Sequence, residues 1–350
     1  QRTMFIFAPS KFKMNKKVVL LINLGTPDKP TTSAVRRYLT EFLNDPRVID
    51  IPWLFRKMLV NLIIVPFRSP KSAKIYKELW TENGSPLLLH GEDLKAKLQD
   101  KLGNDYQVEL AMRYQNPHLK HVLEKIRKSV PQEIIALPLY PHYASSSTGS
   151  TVEYLFKTMG KWFVIPPLRV IGQFYDHPGF IESIAEQANQ FDLNEFDHFV
   201  FSYHGLPTRQ VDKVYDDGLC EDHNCEHEVS PDAKFCYKAT CYETTRLIAS
   251  RLKIDKEKYT VSFQSRLDKN WLEPFSDKVI AELPKNGMKN VLVFSPAFVS
   301  DCLETTIEIG VEYKEIFLEN GGEKIDYVRS LNSNPIWVNT VKDLVLNGNS

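Results

Sequence analysis

Six short runs of branched apolar residues recur along the chain, each ending in turn chemistry: "VVLLINLG" (18–25), "YQVELAMRY" (106–114), "EIIALPLYPHY" (133–143), "HFVFSYHG" (198–205), "YTVSFQSR" (259–266) and "NVLVFSPAFVS" (290–300). Their length and composition predict buried parallel strands. Between them, stretches such as "NPHLKHVLEKIRKSV" and "CYETTRLIASRL" repeat Leu, Val and Ile at intervals of three and four, the period of an amphipathic helix. Strands alternating with helices predict an α/β fold with parallel sheets.

The pattern also repeats itself. "NLGTP" (23–27) resembles "YHGLP" (203–207), "AMRY" (111–114) resembles "QSRL" (264–267), and "LYPHYASSS" (139–147) parallels "FSPAFVSDC" (294–302). Two similar βαβ lobes with a cleft between them explain this order, over 17–175 and 176–325, with a helical segment following at 326–350. Residues 1–16 are expected to form a leader outside the fold, disordered or left over from expression. The first repeat spacing exceeds the other two, which places an insertion between the first two strands. That insertion, "IDIPWLFRKMLVNLIIVPFRSP", carries Trp53, Leu54, Phe55, Met58, Leu59, Leu62, Ile63, Ile64 and Phe67. It is too long and too apolar for an ordinary loop. Two readings stay open: a helix packed into the core, or a lip at 51–67 that binds an apolar substrate or touches a membrane surface.

Composition narrows the partners. With 44 basic and 44 acidic residues the chain has no net charge to draw it to nucleic acid. No apolar run reaches the length of about 18 residues that a membrane span needs. The opening stretch has an apolar patch too short for a signal-peptide core, so a cytoplasmic protein is expected, with the lip as its peripheral contact at the inner face of the membrane. In that reducing compartment, five cysteines read as metal or redox chemistry before they read as disulfides.

His204 ends the fourth strand, where ligands of open α/β sheets bind. After the sixth strand, "FVSDCLETTIEIGVEY" predicts a helix with Glu304, Glu308 and Glu312 along one face, and no cation interrupts the row. His204 and Glu304 would then face each other across one cleft mouth. An imidazole and a carboxylate suit transfer of a borderline divalent cation such as ferrous iron, and either accepts a proton near neutral pH. In the first lobe, Arg113 and Tyr114 end the second strand, and "PHYASSSTGST" predicts a loop before a helix amino end, which favours an organic carboxylate. Neither a P-loop nor a dinucleotide fingerprint is present.

Taken together, "INLGTP", "ENGSPL", "MRY", "LPLYPHYASSSTGS", "SYHGLP", "FQSR", "WLEP" and "PAFVSDCLET" resemble the ferrochelatase family, in the family's order and over roughly 17–325. The resemblance implies two Rossmann-like lobes holding a porphyrin in the cleft, and a lyase that inserts ferrous iron into protoporphyrin IX as haem synthesis ends. It implies His204 and Glu304 as the metal-binding and proton-accepting pair, with Asp301, Glu308 and Glu312 along a metal and proton path. Leu24, Arg113, Tyr114, Trp271 and Phe298 match positions that line the porphyrin pocket, and 51–67 matches its lip. Cys302 departs from the histidine that several members carry there. Alternatives from the residues are a chelatase for coproporphyrin or for cobalt or nickel tetrapyrroles, and a haem or metal carrier without catalysis.

The remaining cysteines, Cys220, Cys225, Cys236 and Cys241, are spaced x4, x10, x4 within "CEDHNCEHEVSPDAKFCYKATC", an insertion at 218–241. Zinc sites prefer two-residue spacing, and four-residue spacing occurs in plant-type two-iron two-sulfur loops. Some bacterial ferrochelatases resemble this chain in an internal four-cysteine segment holding such a cluster. A structural zinc, with His223 or His227 as a ligand, is the alternative.

Overall fold

The computed structural model describes residues 16–216 and 218–349, so the expected leader, save Lys16, lies outside the described residues. β1 (Lys17–Gly25), β2 (Tyr106–Tyr114), β3 (Glu133–Pro138) and β4 (Leu168–Val170) form one sheet in the order β2-β1-β3-β4. β5 (His198–His204), β6 (Tyr259–Gln264), β7 (Asn290–Phe294) and β8 (Lys324–Tyr327) form a second, in the order β6-β5-β7-β8. All pairings between these strands are parallel. In each sheet the chain leaves the central strand to one side and then returns to the other. The carboxyl ends of β1 and β5 are therefore topological switch points, where α/β folds bind ligands.

The two sheets follow the predicted repeat, with differences that have local causes. The third and sixth runs leave the ladder early, at Pro138 and just before Ser295-Pro296, because proline has no N–H to continue it. β4 and β8, three and four residues long, are too short to show as apolar runs. β8 also reaches Tyr327, so the segment from 326 starts as strand and turns helical only at Pro335.

Alternation along the strands divides the core. Val18, Leu20 and Ile22 pack with Leu119, Leu123, Ile126 and Leu155 on the outer face. Val19 and Leu21 face a core that runs on into Phe199, Phe201 and Tyr203 of the second sheet. The last helix, Pro335–Asn347, closes it by packing on Pro86–Leu102 and on Pro178–Ala188. Its Trp337 is fully buried, with ring centroids 5.6 Å from Phe174 and 6.1 Å from Phe180. Among the described residues, no hydrogen-bond partner meets its indole N–H. Trp337→Ala should destabilise the protein by about 3–5 kcal/mol, read by urea unfolding. Trp337→Phe should cost clearly less, because it keeps much of the packing and removes the unpaired N–H.

Candidate active site

β5 ends on His204, and the chain turns at once. The Gly205 N–H donates to the Gln264 carbonyl at 2.8 Å. A Cβ on Gly205 would sit 2.8 Å from that same oxygen and 3.2 Å from Trp271, so only glycine fits. Gly25 does the same work on β1, where a Cβ would lie 2.0 Å from the Tyr114 carbonyl and φ is +123°. The repeated glycine thus lets each central strand turn tightly over the end of its neighbour. His204 Nδ1 lies 2.7 Å from the Gly205 carbonyl. A carbonyl only accepts, so Nδ1 carries the proton and Nε2 keeps its lone pair. Half-buried Trp271 and Phe298 flank the imidazole at 6.4 and 6.3 Å between ring centroids.

The acidic row lies on Glu304–Tyr313, which is a π-helix where the sequence pattern predicts an ordinary helix. Such wide turns concentrate at functional sites, and residues four apart stay on one side. Gln264 is paired with His204 in the strand register, and its Nε2 donates to the Glu304 carbonyl at 3.1 Å. The imidazole, the Gln264 amide and the start of the row therefore meet at the carboxyl ends of β5 and β6. Glu308 is held by four donors: Gln264 Nε2 at 3.0 Å, Ser265 N at 2.9 Å, Ser265 Oγ at 2.5 Å and Tyr313 OH at 3.1 Å. Glu304 faces the first lobe. Burial and then the Glu304 charge push the Tyr76 hydroxyl pKa up, and burial, then Tyr76 and Glu304, raise that of Tyr38 beside it.

Asp301 is buried, accepts from Ser330 N at 3.1 Å and Asn332 Nδ2 at 2.9 Å, and pairs with Arg329 at 3.5 Å. These contacts tie it to the segment after β8. Cys302 is buried, and burial drives its thiol pKa up, so it sits there as a neutral side chain. Glu312 is exposed at the outer end of the row.

At the end of β2, Arg113 is committed to its own lobe. Its guanidinium donates to Asp45 Oδ2 at 2.6 Å and Ser150 Oγ at 2.9 Å, stacked 4.6 Å from the Tyr114 ring and 4.4 Å from Tyr154. Tyr114 is wholly buried, and its hydroxyl donates to Asp45 at 2.9 Å. Its ring supports the arginine and presents no surface to a ligand. Asp45 organises all three partners, yet nothing in "NDPRV" marks it; only Ser150 had a cue, in the serine run. Leu24 is half-buried and packs against the cluster beneath the insertion.

The insertion keeps most of its large apolar side chains at the surface. Trp53–Met58, a π-turn at Leu59–Ile64 and the start of Val65–Leu79 follow one another. Val60, Val65 and the Arg56 side chain are buried, while Trp53 is 64% exposed, Leu62 66% and Phe67 74%. The reading of a helix sunk in the core is thereby set aside.

Cys220, Cys225 and Cys236 are buried with their sulfurs 3.7–3.8 Å apart. Cys241, also buried, lies on the helix Tyr237–Leu252 and is not one of this close group. Proton sharing among the three lowers the Cys236 thiol pKa and raises that of Cys220. The Tyr215 hydroxyl reaches Cys225 at 3.0 Å, and the His223 ring stacks on Tyr215 at 3.9 Å. Buried thiols in contact, with none in a disulfide, fit a thiophilic metal.

Comparison with known proteins decides the family. The ferrochelatase family model matches residues 16–349. The chain belongs to the ferrochelatase family. Among curated ferrochelatases, one from Coxiella burnetii (strain Dugway 5J108-111) is 43% identical over 339 residues, covering 94% of this chain and 93% of the relative. One from Legionella pneumophila (strain Lens) is 40% identical over 331 residues, covering 94% and 98%. Two solved structures share the fold: SirB from Bacillus subtilis with Fe3+, at TM-score 0.52 and 12% identity over 95% of this chain and 96% of that one, and a cobalt complex of the sirohydrochlorin chelatase SirB from Bacillus subtilis subspecies spizizenii, at 0.51 and 10% over 94% of each. As a ferrochelatase the chain is an enzyme that inserts iron into protoporphyrin in haem synthesis.

The acidic row of this ferrochelatase has a measurable electrostatic cost. Partial burial, then the charges of Glu308, Glu315 and Glu78, raise the Glu312 pKa. A carboxyl with a raised folded pKa destabilises the native state once it ionises, and the penalty grows as pH climbs from the unfolded pKa through the folded one. Glu312→Gln should therefore raise the melting temperature at pH 7, and the gain should vanish below about pH 4, where both states bind the proton.

Proposed function

We propose that His204 and Glu304 carry out the metal transfer of this ferrochelatase, with ferrous iron and protoporphyrin IX as substrates. The observation that carries the reading is the contact between His204 Nδ1 and the Gly205 carbonyl: it spends Nδ1–H there and leaves Nε2 with its lone pair at the switch point of the second sheet. Insertion exchanges one divalent cation for two pyrrole protons, so the site needs a ligand that releases iron and bases that take protons. Nε2 of His204 and the Glu304 carboxylate supply both. Asp301, Glu308 and Glu312 extend the acidic path outward. Within it Glu308 and Asp301 are anchored by hydrogen bonds to their neighbours, while Glu312 stands exposed at the outer end. Leu24, Trp271 and Phe298 offer half-buried apolar contacts to a flat ring. The Arg113–Tyr114–Asp45 cluster fixes the wall near its carboxylates.

The lip is read as the mouth of the porphyrin site and as the part that rests on a membrane. Lys71 and Lys74 and exposed Arg68 adjoin its apolar side chains, a mix that suits an anionic leaflet. No helix among the described residues is long and apolar enough to cross a membrane. A cytoplasmic enzyme held peripherally at the inner face fits these features.

The cysteine segment is read as a two-iron two-sulfur site with Cys220, Cys225, Cys236 and Cys241 as its thiolates. Its support is the four-residue spacing and the burial of all four thiols. One observation favours a single zinc ion instead: three sulfurs at 3.7–3.8 Å match the edge of a tetrahedron around one metal with bonds of about 2.3 Å.

Anaerobic mixing with ferrous iron and protoporphyrin should quench porphyrin fluorescence as the haem spectrum grows, with repeated turnover. A carrier would stop at one equivalent, and preference for coproporphyrin or for cobalt would move the substrate assignment. His204→Ala should abolish insertion with porphyrin binding retained, and Glu304→Gln should lose about 10²–10⁴ in rate, far more than Glu312→Gln. Near-normal turnover in His204→Ala would refute the assignment. For the cysteines, protein purified without oxygen should be reddish-brown, bleach with dithionite and hold about two iron atoms with acid-labile sulfide per chain. Colourless protein with about one zinc would establish the zinc reading.

A further inference from the structure

The loop between helix Thr32–Leu43 and the lip reaches from one lobe to the other through the side chain of Asp50. Its carboxylate accepts from Lys213 Nζ at 2.8 Å, from Gln210 Nε2 at 3.1 Å and from the Arg209 guanidinium. Gln210 Nε2 also reaches the Val48 carbonyl at 3.3 Å. These donors sit on helix Thr208–Asp212 and its cap, which begins three residues after Gly205.

Both ends of this link are stiffly held. On the lip side, buried Arg56 turns back and donates to the Ile51 carbonyl at 2.9 Å and the Ile49 carbonyl at 3.4 Å, binding the Asp50 loop to the first lip helix. On the other side, Thr208 N donates to the Asn270 carbonyl at 3.0 Å and Leu272 N to the Leu206 carbonyl at 2.9 Å, so the helix, the His204 turn and Trp271 move as one piece. Exposed ion pairs are worth little. Asp50, though, is only 15% exposed and takes two cations and an amide. Burial pulls its pKa upward, and the bonds from Lys213, Gln210 and Arg209 outweigh it, bringing it down to about 2. The carboxylate stays charged over the whole working range.

We propose that Asp50 is a positioning residue, fastening the apolar lip to the turn that carries His204 and so setting the spacing between the mouth of the site and its imidazole. The inference rests on the reading above, in which the lip borders the porphyrin and His204 handles the metal. A flat, rigid substrate makes that spacing matter, since a ring gripped by the lip must arrive in line with Nε2.

The test uses the full-length enzyme. Asp50→Ala and, in case that variant folds poorly, the surface pair Arg209→Ala with Lys213→Ala, should each raise the porphyrin KM roughly tenfold, the scale of losing charge-assisted hydrogen bonds. The iron KM should stay unchanged and kcat should fall less. Asp50→Glu should restore most of the loss, and Asp50→Arg combined with Arg209→Asp should recover more than either alone. Hydrogen exchange should quicken together in 53–64 and 205–213, and it reads the coupling whether or not the protein proves active on protoporphyrin. A lowered melting temperature with both KM values unchanged, or faster exchange confined to one of the two segments, would overturn the proposal.

Discussion

The site depends on how β5 is gripped. β6 registers Gln264 beside His204, and β7 lies on the other flank and delivers the π-helix that starts at Glu304. The parallel ladder fixes Gln264 beside His204 by backbone hydrogen bonds, and the Gln264 side chain then ties in the backbone of the first acid at Glu304. The glycine after the histidine completes this. It lets the chain fold over the end of β6, and its carbonyl sets the tautomer. Slipping β5 by one residue would turn His204 to the opposite face of the sheet.

Around that frame the two lobes do unlike work. The second carries the strand-end imidazole, the acidic row and the aromatic side chains of Trp271 and Phe298. The first holds the lip and an arginine whose charge is already balanced by Asp45. That balance changes what Arg113 can offer. A buried guanidinium paired with a carboxylate costs much less than a lone one, and the remaining field is directional and modest, suited to orienting a ligand carboxylate and not to binding it tightly. Asp50 joins the two halves where the lip meets the histidine turn.

Much of this was legible in the chain. Six of the eight strands announce themselves as branched apolar runs, and the repeated "NLGTP" and "YHGLP" motifs mark switch points that the structure confirms as glycine turns. His204 and Glu304 could be singled out because strand ends and uninterrupted acidic rows leave a trace in sequence. What stayed hidden is long-range or geometric. Asp45 meets Arg113 across 68 residues and Asp50 meets Arg209 across 159, and no local pattern encodes either pairing. The π-helix at 304–313 has the same apolar period as an ordinary helix to the eye. Burial of Tyr114 and separation of Cys241 from the other three thiols depend on packing, which spacing does not reveal.

The closing helix has a consequence for how the chain is made. The core between the sheets is sealed by Trp337 and its neighbours, which rest on Pro86–Leu102 from the first lobe, far earlier in the chain. A ribosome releases the amino-terminal half long before that seal exists. Domains usually fold as they emerge, but here the early lobe must wait with part of its apolar surface uncovered until the helix carrying Trp337 has been made. Loss of that helix, by a stop codon before it or by proteolysis, would strip a surface shared by both lobes, so the nascent chain is an expected client of chaperones until the helix emerges.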